Sequence, residues 1–407
     1  MVSKYDLLYS VFLNEGLTTA QLVRKLGKTA AEYDSFHKHL QTLLEDGLVT
    51  LNQKQYFVAK NEAAKKFLRV IDFCVRDGIN YNELFLDLTI EFIEFGLKNK
   101  LDSELPFDYK TVARISVFLA KHGFILIDSR KPFSARVVCP HYLETVVELF
   151  REKAEVKSAP VYEGADEENL NNQIEREFST FKKTSKPVNI DDEIRFIHRS
   201  LSLEGNTTTL SETERLIKEN TPPKTRTFQE MQEITNYKKA LDIFIREPKG
   251  LDLRSVLEFH EKAMGTLEAG AGQLRMQNVK IKGNPEFKTA DWKEVPRRLD
   301  DLFEYYKQNA YKKMKPHETV ELAAYLHNEF QRIHPFIDGN SRTSRALFVH
   351  TLLLKGFPLI TFPAGFIEPY MNLTKLSKER NDKNFTTLMK QLVLHSLRQT
   401  NQKMKYA

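Results

Sequence analysis

The chain has 407 residues, 41% hydrophobic and 29% charged, with a formal net charge of +6, which is ordinary for a soluble protein of about two or three domains. The charge permits an anionic partner without requiring one. The two cysteines, Cys74 and Cys139, lie in apolar runs, so neither a disulfide framework nor a zinc site is expected, and a reducing cytoplasm is the simplest setting. The longest apolar stretch, near 347–367, is broken by His350, Lys355 and two prolines. It excludes a membrane span there, and Met1-Val-Ser-Lys-Tyr-Asp leads into an amphipathic helix without a secretory signal.

In chain order, residues 1–60 predict three helices and a hairpin. The run from Tyr5 to Asn14 is periodic and ends at Gly16. Thr18 or Thr19 caps a short helix through Leu26, and Ala30 to Asp46 forms a third helix ended by Gly47. Leu48-Val-Thr-Leu and Gln55-Tyr-Phe-Val flank a turn at Asn52-Gln53-Lys54. This order resembles a winged helix-turn-helix. Residues 61–150 are expected to be helical or to repeat that module, with a helix from Asp108 to His122, a stop at Gly123, and strands at Phe124-Ile-Leu-Ile and Ala135-Arg-Val-Val. DNA binding and protein docking both stay open for this half. The first recognition helix mixes His37, Lys38 and His39 with Glu32, Asp34, Glu45 and Asp46, whereas the second candidate offers Lys110, Arg114, Lys121, Arg130 and Lys131. Residues 151–187, with Ala159-Pro160 and Thr184-Ser-Lys-Pro187, read as a charged helix or linker.

Chemistry concentrates in the third part, 188–400. His334-Pro-Phe-Ile-Asp-Gly-Asn-Ser-Arg-Thr-Ser-Arg345 sets a histidine, a carboxylate, a glycine-asparagine turn and two arginines in one short loop. Pro335 and Asp338-Gly339-Asn340 break any helix ending at His334. Arg342 through Leu354 then reads as a new helix, whose first backbone N–H groups favour phosphate. Asp338 is a hard oxygen ligand suited to magnesium. Arg342 and Arg345 share a helix face and suit bidentate contacts with phosphate. His334 has the titration range of a general base. A lone histidine is more often structural, and paired arginines often solvate a helix face. The complete run is harder to explain as scaffold.

That run resembles the Fic-family signature HxFx(D/E)GNGRxxR, matching at His334, Phe336, Asp338, Gly339, Asn340, Arg342 and Arg345 and departing at Ser341. The preceding Ala323–Ile333 segment resembles the family's leading helix, and Gly272–Gly283 resembles its β-hairpin flap. The likeness extends roughly from Asp191 to Leu397. It implies a mostly α fold, a helical Fic domain with a small hairpin flap, preceded by one or two winged-helix-like α+β modules. It also implies transfer of AMP from ATP, with Mg2+, to a Ser, Thr or Tyr hydroxyl of a target protein. His334 would then be the base and Asp338 the metal ligand. Gly339, Asn340, Ser341 and the helix-start amides would cradle the α-phosphate, Arg342 and Arg345 would bind the outer phosphates, and Phe336 would anchor the core. Val279, Lys280, Ile281, Lys282 and Gly283 would hold the target backbone as an added strand. From the residues alone, their alternation predicts an ordinary strand and turn.

Ser200-Leu-Ser-Leu-Glu204-Gly205-Asn206 resembles the family's inhibitory motif (S/T)xxxE(G/N). It ends a helix expected over 190–205, capped by Asn189 and stopped by Gly205. The resemblance implies that Glu204 occupies Arg345 and blocks productive binding of the γ-phosphate; in such relatives the glutamate also supports removal of AMP. Ser341 leaves two outcomes open. If its backbone needs φ > 0 the phosphate cradle distorts, giving a weak or inactive nucleotide-binding regulator; as a first-turn helical residue it fits. Trp292 and the Pro285–Phe287 segment are expected beside the flap. The apolar spacing from Phe385 to Gln399 marks core or an oligomer contact, so a homodimer stays open.

Overall fold

This computed structural model describes residues 2–102, 104–182, 188–246 and 250–405. It divides into two compact units. One holds residues 1–101, 106–115 and 140–158; the other holds 102–105, 116–139 and 159–407.

The first unit begins with α1 (Lys4–Leu13), α2 (Thr19–Lys25) and α3 (Tyr33–Glu45), followed by the antiparallel strands β1 (Val49–Asn52) and β2 (Gln55–Val58). Ser3 and Thr18 form capping boxes that satisfy the first amides of α1 and α2. Helix α3 buries Phe36, Leu40 and Leu43, one face of a 3.6-residue period. The hairpin turn carries Gln53 and Lys54 at φ 48° and 65°, the left-handed pair that matches strand twist. Helices α4 (Glu62–Arg76), α5 (Tyr81–Leu84) and α6 (Asp87–Lys98) complete the run, with Tyr5, Phe67, Phe85 and Phe150 packed ring against ring. The expected helix and hairpin follow as α7 (Tyr109–Lys121), β3 (Ile125–Arg130) and β4 (Phe133–Val137). The hairpin belongs to the second unit, and α8 (Pro140–Val147) returns to the first.

The second unit is helical apart from that hairpin. It comprises α9 (Glu167–Lys182), α10 (Ile190–Ser202), α11 (Leu210–Glu219), α12 (Phe228–Ile245), α13 (Leu253–Met264), α14 (Val295–Ala310), α15 (Pro316–Ile333), α16 (Asn340–Leu354), α17 (Ile367–Leu373) and α18 (Asp382–Lys405). Helix α9 is the charged helix expected within 151–187; Thr184-Ser-Lys-Pro187 lies outside the described residues. Helix α15 packs on α14, α16 and α18. Helix α16 buries Thr343, Ser344 and Thr351 as well as Leu347, Phe348 and Leu352, so it is the central helix, covered on all sides. Phe385, Leu388, Met389, Leu392 and Val393 of α18 are core, each at most 1% exposed.

Two local expectations change. Helix α16 starts at Asn340 rather than Arg342, because Gly339 takes φ 81° and turns the chain directly into it. The 279–283 segment does not form a strand. One antiparallel bridge joins Ile281 to Asn284 around Lys282 and Gly283, and the pairing extends no further. Among the described residues, no helix is long and apolar enough to cross a membrane.

Candidate active site

A cleft of about 680 Å³ brings the loop between α15 and α16 together with the end of α10, the 279–283 turn and the segment from Tyr370 to Arg380. His334, Asp338, Gly339, Asn340, Ser341, Arg342, Arg345 and Glu204 all line it, as do Val279, Lys280, Ile281, Lys282 and Gly283. Sequence positions far apart thus meet in one cleft.

The loop is held by hydrogen bonds that use its own residues. Helix α15 ends when His334 takes φ 52°, a left-handed conformation that costs a non-glycine residue about 1 kcal/mol. Arg275, 3% exposed, compensates this turn. Its guanidinium donates to the carbonyls of His334 (2.7 Å), Gln277 (2.7 Å), Ala290 (2.5 Å) and Ile333 (3.3 Å). Asn340 accepts from the Phe336 amide (3.0 Å) and donates to the Phe336 carbonyl (2.9 Å). Its side chain is therefore a loop staple, and only its backbone is free for the expected phosphate role. Gly339 is required at the next corner: besides its positive φ, a Cβ there would lie 2.9 Å from His260 Nε2 and 3.0 Å from Met264 Cγ. His260 Nδ1 accepts from the Gly272 amide (2.9 Å), so Nε2 carries the proton and donates to the Asp338 carbonyl (2.9 Å). The His260 ring stacks on Phe336 with centroids 3.6 Å apart.

Ser341 is the second residue of α16 and is not among the residues with positive φ. The left-handed position is Gly339. Serine in a first helical turn carries no backbone strain, so the departure from the signature leaves the loop geometry intact.

The charged groups divide by environment. Burial drives the His334 imidazole down to about 4, with a smaller opposing contribution from its contact with the Gln331 carbonyl; Arg275 and Arg380 also disfavour the cation. With Nδ1 facing Gln331 O at 3.4 Å, a proton on Nδ1 leaves Nε2 with a free lone pair at neutral pH. Asp338 Oδ2 pairs with Arg342 Nη2 at 2.9 Å, and its side chain is 63% exposed. Burial opposes its charge, but Arg342 and the Gly339 amide hold the carboxyl below its ordinary range. Arg342 is 6% exposed, and its Nε is buried without a hydrogen-bond partner, an unmet donor of the kind an anion satisfies.

Arg345 is buried (1% exposed) and faces α10. It donates from Nε to Ser200 Oγ (2.9 Å), and from Nη2 to the Ser200 carbonyl (2.7 Å) and Glu204 Oε1 (2.8 Å). Lys375 Nζ lies 3.8 Å from Glu204 Oε2. Burial works against the Glu204 charge, yet Arg345, Lys375 and Arg342 hold its pKa below the usual carboxylate range. Ser200 Oγ in turn donates to Tyr237 OH (3.0 Å), which donates to the Arg342 carbonyl (3.0 Å). Gly205, at φ 104°, ends the helix behind Glu204.

Several participants were not expected from the sequence: Arg275, His260, Tyr237, Lys375 and Arg380. The first two act through backbone carbonyls and amides, and only Arg275, inside the Gly272–Gly283 segment, had a local signal. Trp292 is tied to the flap base, where its amide donates to Asn278 Oδ1 (2.9 Å), and Phe287 lies under the Arg380 guanidinium at 4.2 Å. Among the described residues, no group of three or more His, Cys, Asp or Glu side chains could hold a metal ion. Asp338, exposed into the cleft, fits a magnesium ion that takes its remaining ligands from phosphate and water.

Residues 250–352 match the Fic/DOC family. Curated relatives named protein adenylyltransferase Fic include one from Drosophila persimilis, 24% identical over 274 residues, covering 64% of this chain and 51% of the relative. Another, from Drosophila willistoni, is 27% identical over 194 residues, covering 46% of this chain and 38% of the relative. The chain thus spans about half or less of the curated relatives it matches. Among solved structures, a Fic-domain-containing signaling protein from Bacteroides thetaiotaomicron superposes with a TM-score of 0.50 at 22% identity, over 57% of this chain and 98% of its own. Fic-1 from C. elegans does so with a TM-score of 0.50 at 18% identity, over 60% and 80%. Those two likenesses concern the fold. Residues 250–352, which contain the loop from His334 to Arg345, are thus a Fic/DOC-family domain.

Proposed function

We propose that the chain transfers AMP from ATP to a hydroxyl side chain of a protein, and that Glu204 restrains the transfer. The observation that carries this reading is the shared cleft. It holds a neutral histidine, an exposed carboxylate, an arginine with an unmet donor, and a second arginine already occupied by a carboxylate. His334 Nε2 takes the proton of the target hydroxyl, whose oxygen forms a bond to the α-phosphorus. The bond from that phosphorus to the α–β bridging oxygen breaks, and the electron pair leaves with pyrophosphate. The amides of Asn340 and Ser341, at the start of α16, face the α-phosphate oxygens. Arg342 turns from Asp338 to the outer phosphates, and Asp338 is then free to hold magnesium. The ion supplies positive charge to the phosphates when bound.

Glu204 supports the restraint by direct competition: while its carboxylate holds Arg345, the γ-phosphate cannot. The helix and hairpin order of residues 1–60 supports a winged-helix-like docking module ahead of this domain. The test is incubation of wild type, Glu204→Gly and Glu204→Gly/His334→Ala with α-labelled ATP, magnesium and a cell lysate. The reading expects strong labelling only with the single variant. Absence of any label on any protein with Glu204→Gly refutes the transferase, and labelling that survives His334→Ala refutes the assigned base.

A further inference from the structure

We infer that the 279–283 turn selects an acidic extended segment of the target, with carboxylates near the modified hydroxyl. This inference rests on the transferase reading for its chemistry, and on separate features of the turn for its selectivity. The turn lines the same cleft as His334. Ile281 is taken up by its bridge to Asn284, and among the described hydrogen bonds the backbone N–H groups of Val279, Lys280, Lys282 and Gly283 donate to no group. The turn therefore presents an open edge to which an extended chain can pair.

Side chains on that edge alternate. Val279 and Ile281 are half-buried, whereas Lys280 and Lys282 are exposed and enter no ion pair among the described residues. Two arginines of the cleft are already paired internally: Arg345 with Glu204, and Arg342 with Asp338. On the proposed mechanism those arginines pass to the nucleotide phosphates, leaving the two flap lysines unneutralised. Lys280 and Lys282, both exposed on this one turn, match carboxylates of a segment that pairs along it. A segment carrying lysine or arginine there meets like charge, which discriminates against it.

The experiment uses the full chain as Glu204→Gly with magnesium and a non-hydrolysable ATP analogue. Fluorescent peptides carry one threonine flanked at alternate positions by glutamate, glutamine or lysine, and binding is read by anisotropy. The glutamate peptide is expected to bind about tenfold more tightly than the lysine peptide at low salt, with the gap narrowing as salt rises. Lys280→Glu/Lys282→Glu should reverse the order; both positions are exposed, and circular dichroism verifies the fold. Equal affinities, an order unchanged in the double variant, or no measurable affinity for any peptide overturns the inference. Parallel reactions with α-labelled ATP separate the two ideas. Charge-dependent binding without transfer refutes the transferase alone, and transfer without charge dependence refutes the acidic selection alone.

Discussion

Replacing Glu204 by glycine should raise the affinity for ATP sharply at little cost to the fold. Arg345 is 1% exposed and keeps two hydrogen bonds to Ser200, at 2.9 and 2.7 Å, when the carboxylate is removed. It is therefore left oriented, with one donor direction vacated. A phosphate oxygen entering that position gains a charge-assisted hydrogen bond worth about 1.5–3 kcal/mol. At about 1.4 kcal/mol per decade this is a 10- to 150-fold decrease in Kd. Lys375, now 3.8 Å from Glu204, is released to the same anion. Titration with a fluorescent ATP analogue, wild type against Glu204→Gly, measures the shift, and the same titration with an AMP analogue is the control. AMP has no γ-phosphate, so its affinity should change little. An equal gain for AMP and ATP, or no gain for ATP, refutes competition at Arg345.

Other consequences follow from the same geometry. With His334 depressed to about 4 by burial, transfer should stay flat from pH 8 to about 5.5 and fall only toward pH 4; a profile falling through 6.5 would contradict the burial. The same sign governs stability. His260 and His334 titrate near 4 and His327 near 3 in the fold, below the unfolded value, so the unfolded chain binds more protons between about pH 4 and 6.5. Stability is therefore present above that window and should fall with pH through it, by about 1.4 kcal/mol per unit for each histidine, as denaturant midpoints at several pH values would show. Arg275→Met should cost about 3–5 kcal/mol in urea unfolding, because several buried carbonyls lose their donor. Gly339→Ala should destabilise by about 2 kcal/mol or more, given its positive φ and the contact with His260, whereas Ser341→Gly should leave transfer within about twofold. Differential scanning fluorimetry and the labelling assay check this contrast.

The site was legible in the sequence where its chemistry is local. His334 through Arg345 is one loop and one helix start, so residue types and spacing alone placed a histidine, a carboxylate and two arginines beside each other. Glu204 reaches Arg345 across 141 residues, and no period or charge pattern predicts that contact; only the family resemblance did. Arg275, His260 and Tyr237 were missed because their partners are backbone groups of distant segments, which leave no mark on composition. Lys375 and Arg380 sit in a basic run before α18 that reads as a solvated surface. In the first unit, Thr18, Gly16 and Gly47 marked element ends correctly because caps and left-handed corners are local physics. The flap failed for the opposite reason: two alternating pairs of residues suit a strand, but a ladder needs a partner, and the pairing stops at the single Ile281–Asn284 bridge.

The most direct test of AMP transfer is a pair of parallel reactions of Glu204→Gly with a modifiable protein, one with α-labelled and one with γ-labelled ATP. The account predicts label on protein from the α position only, with the γ label released in pyrophosphate. Label on protein from the γ position, or from neither, would contradict it.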